Sequence, residues 1–235
     1  MTAIISTILE TASVPAEEVL RGDERLLESG GPAVRAGRFS DWALSLGVSQ
    51  NLADPVARQA RALGIPVIRR SSGGLAVLHA PGDLFFSLIV PRATGPGWSG
   101  VRDYARWGEG VVRALAERGV DAGWAIPAGV SVEHCLLGPR GWTLQVMGRT
   151  LAGASQHMTR RALLHHGIVI RHLDLSRHAR VFQMSRDVLR EHLISLEDLP
   201  APASELTPSE LLEHLRRSLE RALPPSSGQF HPVPR

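Results

Sequence analysis

Short apolar runs alternate with amphipathic stretches along the 235-residue chain. Runs of this length that are bounded by turn-forming residues are typical of buried strands. The predicted strands are residues 42–48, 65–68, 75–78, 84–90, 124–126, 130–132, 142–147 and 164–170. Helical spacing or helix-terminal signals predict helices over residues 15–29, 55–63, 98–118 and 174–182.

A further helix is predicted near the C-terminus. Thr207 and Glu210 form a capping box with Pro208 at the first helical position, and apolar residues then recur as far as Leu223. We therefore expect an α/β (α+β) fold, in which a mixed β-sheet is flanked by helices. We expect one domain over residues 1–200, a C-terminal helical appendage over 201–223 and a disordered tail over 224–235.

Composition narrows the class of protein. The net charge is +3 and all 26 cations are arginine, without a basic block interleaved with aromatic residues, so we expect no nucleic-acid partner. No apolar run approaches the ~18 residues of a membrane span, so we expect no membrane partner. No basic segment precedes the first apolar run, and Cys135 has no second cysteine with which to pair. Both features favour a cytoplasmic protein.

The segment between the runs 65–68 and 75–78 interrupts the apolar pattern with Arg69, Arg70, Ser71, Ser72, Gly73 and Gly74. Glycine permits positive φ and a close approach of a ligand to the backbone, although a glycine pair is also common in hairpin turns. Arginine binds carboxylate or phosphate through several donors. The segment therefore predicts the rim of a binding site.

Three blocks carry a resemblance to a known family. Arg69–His79 resembles the lipoate-binding loop of the lipoate/biotin protein ligase and octanoyltransferase superfamily. The segment Gly148–Gln156 is similar to that superfamily's Gly-(Arg/Lys)-Lys segment, and Leu164–Gly167 is similar to its His-His-Gly or Gln-His-Gly strand. The blocks occur in the family's order and cover about residues 20–185. The resemblance implies the fold of the catalytic domain of biotin and lipoate ligases.

The resemblance implies one of two chemistries. The ligases activate lipoate with ATP and Mg as an acyl-adenylate. The transferases need no cofactor, and they move an acyl group from an acyl carrier protein through a cysteine to a lysine of a lipoyl-domain protein, such as the glycine cleavage H protein or the 2-oxoacid dehydrogenase E2. Cys135 lies 13 residues before Gly148, as in the cysteine-type transferases, and Leu75 replaces the third glycine of the ligases. We therefore expect an octanoyl or lipoyl transferase.

Thr150 departs from the family pattern. It occupies the position of the family lysine that contacts the acyl carbonyl and is needed for activity. The adjacent Arg149 supplies a cation, but arginine stays protonated and cannot act as a base. Two alternatives therefore stay open, an ATP-dependent lipoate ligase and a non-catalytic homologue that binds an acyl group or a lipoyl domain.

Cys135 is the candidate nucleophile, and Thr150 occupies the second catalytic position. A thiol attacks as the thiolate, so a neighbouring group must favour deprotonation. His134, His165, His166 or an arginine could do so. Since adjacent strand residues point to opposite faces, at most one of His165 and His166 faces the acyl site. No cluster with ligand spacing indicates a metal site.

The resemblance implies substrate contacts at positions that also allow structural explanations. It directs Arg70 towards the acyl group, whereas Arg69 fits a salt bridge. His79 fits either the site or an ordered strand end, and Gly153 fits either a close backbone approach or a turn. The predicted substrate contacts are Arg70, Ser72, Gly73, Gly74, Leu75, His79, Gly153, His165 and His166. The candidate walls of the acyl tunnel are Leu75, Val77, Ala152 and Ala154.

Overall fold

The computed structural model describes residues 5–92, 100–127, 129–131, 133–139 and 142–223, with the backbone alone described at 100–103. The strands are β1 (Ser6–Leu9), β2 (Ala33–Arg38), β3 (Ala43–Leu46), β4 (Val67–Arg69), β5 (Val77–His79), β6 (Leu84–Pro91), β7 (Gly123–Ala125), β8 (Trp142–Val146), β9 (Arg149–Met158) and β10 (Ala162–Val169). The helices are α1 (Ala16–Ser29), α2 (Pro55–Ala62), α3 (Gly100–Trp107), α4 (Glu109–Ala116), α5 (Leu175–Phe182), α6 (Arg186–His192) and α7 (Pro208–Ala222).

Two β-sheets organise the described residues. Seven strands form the larger sheet in the order β1-β2-β6-β10-β9-β8-β7, in which β1 and β2 pair in parallel and the other neighbours pair antiparallel. The smaller sheet has the order β4-β3-β5, with β3 parallel to β4 and antiparallel to β5. This architecture confirms the predicted α+β fold with a mixed sheet and flanking helices.

Strand β6 shows why the central runs are apolar throughout. Phe86 and Leu88 lie in the main hydrophobic core with the helices α4 and α7, whereas Phe85 faces a second core that also contains Ile168. A strand that is covered on both faces is apolar at successive positions. The candidate site described below lies on the Phe85 side of the sheet.

The predicted C-terminal helix is present as α7, and it begins at the capping box of Thr207 and Glu210. Its residues Leu211, Leu215 and Leu219 are fully buried in the main core. The helix thus packs on the sheet, whereas the division of the chain at residue 200 stays a prediction. The tail 224–235 lies outside the described residues.

The structure corrects several predicted elements. The single helix predicted over 98–118 is two helices within the described residues, divided at Gly108, where the chain passes Trp124 and a Cβ atom would lie 2.3 Å from the indole ring; residues 98 and 99 lie outside the described residues. The predicted strand at 130–132 is wrong for residues 130 and 131, and Val132 lies outside the described residues. The elements that the apolar pattern missed are β1, β2, β9 and α6. Strand β2 carries the buried Arg35, whose charge interrupts the apolar signal.

Replacing Gly110 by alanine should destabilise the protein by about 1–3 kcal/mol, because the added methyl group would lie 2.8 Å from the Cα atom of Leu215, at the contact between α4 and α7. The sign of the change in the free energy of unfolding tests this contact, since alanine at an open helical position would instead stabilise the protein by roughly 0.5–1 kcal/mol relative to glycine. Urea unfolding measures the effect. Gly123→Ala, which adds a methyl group in open space, is the control. A Gly110→Ala protein as stable as the wild type would contradict this packing.

Candidate functional site

The loop between β4 and β5 is organised by the guanidinium group of Arg70. Its Nη1 donates to the backbone oxygen and to the Oγ of Ser45, at 3.0 and 3.2 Å. Its Nη2 donates to the carbonyl oxygens of Gly73 and Leu75, at 2.8 and 2.7 Å. Arg70 is only 4% exposed, and its acceptors in the described residues are uncharged. The loop thus holds a buried cation whose charge no carboxylate neutralises.

Cys135 lies on a turn that is hydrogen-bonded to the end of this loop. The N–H of Cys135 donates to the carbonyl of Ala76 at 2.8 Å, and the N–H of Ala76 donates to the carbonyl of Glu133 at 3.0 Å. The Oγ of Ser131 accepts from the N–H groups of Glu133 and His134. These bonds fix the position of the cysteine relative to the loop.

Gly74 explains how the guanidinium reaches the thiol. Its φ is +94°, and a Cβ atom there would lie 2.9 Å from Nη2 of Arg70 and 3.1 Å from Sγ of Cys135. Burial lowers the pKa of Arg70, while the charge of a Cys135 thiolate and the hydrogen bond between the two side chains act in the opposite direction. A cation next to a thiol favours the thiolate. Arg70 is therefore the neighbour best placed to do this.

His134 was another candidate for favouring the thiolate, but its ring packs against the hydrophobic core. Its ring stacks on Phe182 with centroids 3.9 Å apart, and burial holds its pKa well below the usual value. Its Nδ1 accepts a hydrogen bond from the N–H of Leu136 at 3.2 Å. A neutral imidazole with its ring against the core supplies no charge to the neighbouring cysteine.

Cys135 lines a cavity that is partly open to solvent. The apolar side chains that line it are Val19, Leu20, Phe39, Val77, Phe85, Phe86, Leu136, Trp142, Ala154 and Ile168. The polar and charged side chains are Asp23, Ser45, Arg70, His79, Ser87, Cys135, Thr143, Ser155 and His166. A mainly apolar cavity with a few convergent polar groups is typical of a small-molecule site.

Of the two adjacent histidines, only His166 lines this cavity. Its Nδ1 lies 2.8 Å from Oδ2 of Asp23, and its Nε2 lies 2.7 Å from Oγ of Ser72. The Oγ of Ser72 lies 2.7 Å from Oγ of Ser155. His165 points to the opposite face of β10, where its ring contacts Tyr104 and Phe86 and burial lowers its pKa to about 3.

The sequence analysis missed Asp23. Its carboxylate is buried, and it accepts hydrogen bonds from Ser87 at 2.6 Å and from Arg35 at 3.4 Å. Asp23 lies among the buried positions of α1, with Val19 and Leu27. A carboxylate within the apolar stripe of an amphipathic helix is the signal that could have identified it, since buried charges require partners.

Thr150 lies beneath the cysteine turn and does not line the cavity. Its hydroxyl donates to the carbonyl of Leu136 at 3.1 Å and lies 3.4 Å from the hydroxyl of Thr143. The residue is only 2% exposed and faces a second cavity, beside Leu137 and His192. At this position the chain therefore supplies a hydrogen bond to the turn, without a cation.

Of the other predicted positions, Gly153 and His79 line the cavity, whereas Leu75 and Ala152 do not. Gly153 lies within strand β9, not in a turn, and a Cβ atom there would lie 2.3 Å from the side chain of Leu136. His79 lines the cavity, where burial lowers its pKa to about 3 and its Nε2 lies 2.8 Å from Oγ of Ser45. Leu75 packs over Gly138, and Ala152 belongs to the main core.

Arg69 does not form the salt bridge that sequence suggested as its structural role. In the described part of the chain, its Nη2 donates to the carbonyl of Gln50 at 3.0 Å. No group of three histidine, cysteine or acidic side chains among the described residues is arranged to hold a metal ion. No helix within the described ranges combines the length and apolar character that a membrane crossing requires.

Comparison with known proteins gives the family. The family model of the lipoyl protein ligase A/B catalytic domain matches residues 19–220. The chain belongs to this family. Among the curated members, the octanoyltransferase LipM of Kyrpidia tusciae is 31% identical over 215 residues, which cover 83% of this chain and 78% of that protein. LipM of an Exiguobacterium species is 31% identical over 185 residues, which cover 72% of this chain and 67% of that protein.

Solved structures share the lipoyl protein ligase fold. A lipoate-protein ligase A crystallised with ATP has a TM-score of 0.71 and 22% identity, and the match covers 94% of this chain and 85% of that one. A bipartite lipoate protein ligase of Thermoplasma acidophilum, described with its E2 lipoyl domain, has a TM-score of 0.68 and 21% identity, and the match covers 93% of this chain and 84% of that one. These likenesses show the fold.

Gly74→Ala should lower the free energy of unfolding by about 1–2 kcal/mol, because alanine resists positive φ. It should also slow alkylation of Cys135 by iodoacetamide, since the new methyl group would separate the guanidinium from the thiol. Cys135 is the single cysteine, so intact mass follows the reaction directly. Gly73→Ala is the matched control, with open space around the added atom. Similar alkylation rates for the two variants would contradict the proposed role of Gly74.

Proposed function

We propose that this protein is an octanoyltransferase that works in protein lipoylation, with Cys135 as the nucleophile. The observation that carries the proposal is the contact of the Arg70 guanidinium with the single cysteine, at the edge of a mainly apolar cavity. The similarity to curated LipM octanoyltransferases over most of the chain supports the same chemistry.

The reaction follows from the groups around Cys135. The Cys135 thiolate attacks the carbonyl carbon of an octanoyl thioester on an acyl carrier protein, the S–C bond to the carrier breaks, and the carrier leaves as its thiolate, which takes a proton from solvent. The octanoyl chain then occupies the apolar part of the cavity, beside Phe85 and Ile168. A lysine amine of a lipoyl-domain protein attacks the new thioester, so that an amide forms and the Cys135 thiolate is released. The reaction requires no cofactor.

Arg70 has two roles in this scheme. Its positive charge favours the thiolate before transfer, and its guanidinium next to Gly74 can stabilise the negative charge that develops on the thioester oxygen. Its acceptors are a hydroxyl and backbone carbonyls, so no carboxylate among the described residues competes for that charge. Thr150 contributes by holding the carbonyl of Leu136, next to the nucleophile.

Incubation with octanoyl carrier protein should add one octanoyl group to the wild-type protein, detected by intact mass and removed by hydroxylamine. Cys135→Ala should acquire no adduct, and Cys135→Ser no hydroxylamine-sensitive thioester. Addition of a lipoyl-domain protein should then move the octanoyl group to one of its lysines. An adduct that survives in Cys135→Ala would overturn the proposed nucleophile.

The same preparation distinguishes the alternatives. A ligase would release pyrophosphate from ATP in the presence of lipoate and without a carrier protein. A non-catalytic homologue would form no adduct, and Thr150→Lys would then produce a large gain of transfer. We expect neither result, because the wild-type site already brings a cation to the cysteine.

Thr150→Val should destabilise the protein by about 1–3 kcal/mol, since it leaves the buried carbonyl of Leu136 without its donor. Because that carbonyl belongs to the turn of Cys135, formation of the octanoyl-enzyme should also slow. Thr150→Ser keeps the hydroxyl and is the matched control. Urea unfolding and the rate of adduct formation measure the two effects. Equal behaviour of the valine and serine variants would exclude a role for the hydroxyl.

A further inference from the structure

A chain of short hydrogen bonds leads from a buried carboxylate to the wall of the cavity. It links Asp23 to His166 at 2.8 Å, His166 to Ser72 at 2.7 Å and Ser72 to Ser155 at 2.7 Å. Asp23 and Ser72 are almost fully buried, whereas Ser155 lines the cavity and is 9% exposed. The chain therefore connects the buried carboxylate of Asp23 to the cavity at Ser155.

The second half of the proposed reaction needs a proton acceptor. The amine of an acceptor lysine has an ordinary pKa of about 10.4, so at neutral pH it arrives protonated and cannot attack. Arg70 stays protonated, and the Thr150 hydroxyl is already engaged with the carbonyl of Leu136. His79 lines the same cavity, but its pKa is lowered to about 3 by burial and by the charge of Arg70, so it is a weak base.

Ser155 lines the same cavity as Cys135. It lies two residues from Gly153 on the same face of β9, a separation of about 7 Å. Gly153 contacts the side chain of Leu136, which directly follows Cys135. On the opposite side, Ser72 belongs to the same loop as Gly74, where an added Cβ atom would lie 3.1 Å from the sulfur of Cys135. The serine end of the relay and Cys135 thus line one cavity, the one in which the amine must attack.

We propose that Asp23, His166, Ser72 and Ser155 form a proton relay that deprotonates the acceptor lysine, so that its free amine can attack the octanoyl-enzyme. This inference rests on the proposed function and assigns its base. Ser155 touches the amine, and His166 and Asp23 are positioning residues that act through the two serines. The relay accepts the proton that neither Thr150 nor Arg70 can accept.

The protons in this step balance. Ser155 accepts a proton from the lysine ammonium and passes its own proton to Ser72, and Ser72 passes its own to Nε2 of His166. The C–N bond forms, the C–S bond to Cys135 breaks, and the thiolate remains beside Arg70. The imidazolium of His166 is stabilised by the carboxylate of Asp23, and it releases its proton to solvent when the product leaves. The second proton of the amine nitrogen goes to solvent as the amide forms.

The charges around His166 suit a transient imidazolium. Asp23 on α1 faces its Nδ1, and Arg35 on β2 reaches the other oxygen of that carboxylate, with Glu10 hydrogen-bonded to Arg35 at 2.9 Å. His79 on β5 and His165 on β10 are near enough to interact electrostatically with His166, and burial keeps both neutral. Arg70 acts on His79 from the cysteine side. Asp23 is the carboxylate hydrogen-bonded to the imidazole, so its negative charge would stabilise the added proton on His166.

The test separates the two half-reactions. The octanoyl-enzyme is first formed on wild type, His166→Gln and Ser155→Ala and quantified by intact mass. Transfer to a lipoyl-domain lysine should be about 100-fold slower or more in both variants, which is the usual contribution of general base catalysis. Transfer to hydroxylamine, which is largely unprotonated at neutral pH, should stay close to the wild-type rate. His165→Gln, on the opposite face of the same strand, is the matched control and should transfer to lysine at nearly the wild-type rate.

The pH profile supplies a second readout. In His166→Gln the rate of transfer to lysine should rise with pH as the amine loses its proton unaided, whereas the wild-type rate should level off earlier. Equal slowing of transfer to lysine and hydroxylamine would show a structural role and overturn the relay. Transfer to lysine at the wild-type rate by both His166→Gln and Ser155→Ala would also overturn the relay. Failure of the wild-type protein to form the octanoyl-enzyme would instead refute the proposed function.

Discussion

The hydrogen bonds of the Arg70 guanidinium hold the cysteine side of the site together. They join β3, at Ser45, to Gly73 and Leu75 in the loop between β4 and β5. A buried cation is costly unless it is hydrogen-bonded, so these acceptors hold the loop in one conformation. Because they are uncharged, the positive charge remains available to the cysteine across Gly74. One interaction therefore shapes the loop and supplies the electrostatics of the nucleophile.

The cavity that contains this cation is also lined by a histidine and a carboxylate, His166 and Asp23. His166 lies on β10 and Asp23 lies on α1, and the two side chains are hydrogen-bonded to each other. Arg35 and Ser87 also donate hydrogen bonds to the carboxylate of Asp23. The thiol thus lies near an arginine, and the same cavity is lined by an imidazole that is hydrogen-bonded to a carboxylate. A thioester intermediate needs both environments, since its formation requires a thiolate and its aminolysis requires a proton acceptor.

Local patterns predicted one part of this arrangement. The two-residue period of a strand separates His165 from His166, and the glycine pair marks the close approach of backbone and side chain at Gly74. Long-range contacts account for what was missed. Asp23 meets His166 across 143 residues of sequence, and Ser155 meets Ser72 across 83. The pairing of β9 with β10 and the packing of α1 on the sheet bring these side chains together, and single-sequence periodicity does not encode such pairings.

The most direct measurement is a crystal structure of the protein after reaction with an octanoyl thioester donor. We expect a covalent bond from the Sγ of Cys135 to the acyl carbon, the thioester oxygen facing the guanidinium of Arg70, and the alkyl chain in the cavity beside Phe85 and Ile168. An alkyl chain that lies instead in the second cavity, beside Thr150 and Leu137, or outside the protein would contradict this assignment of the site.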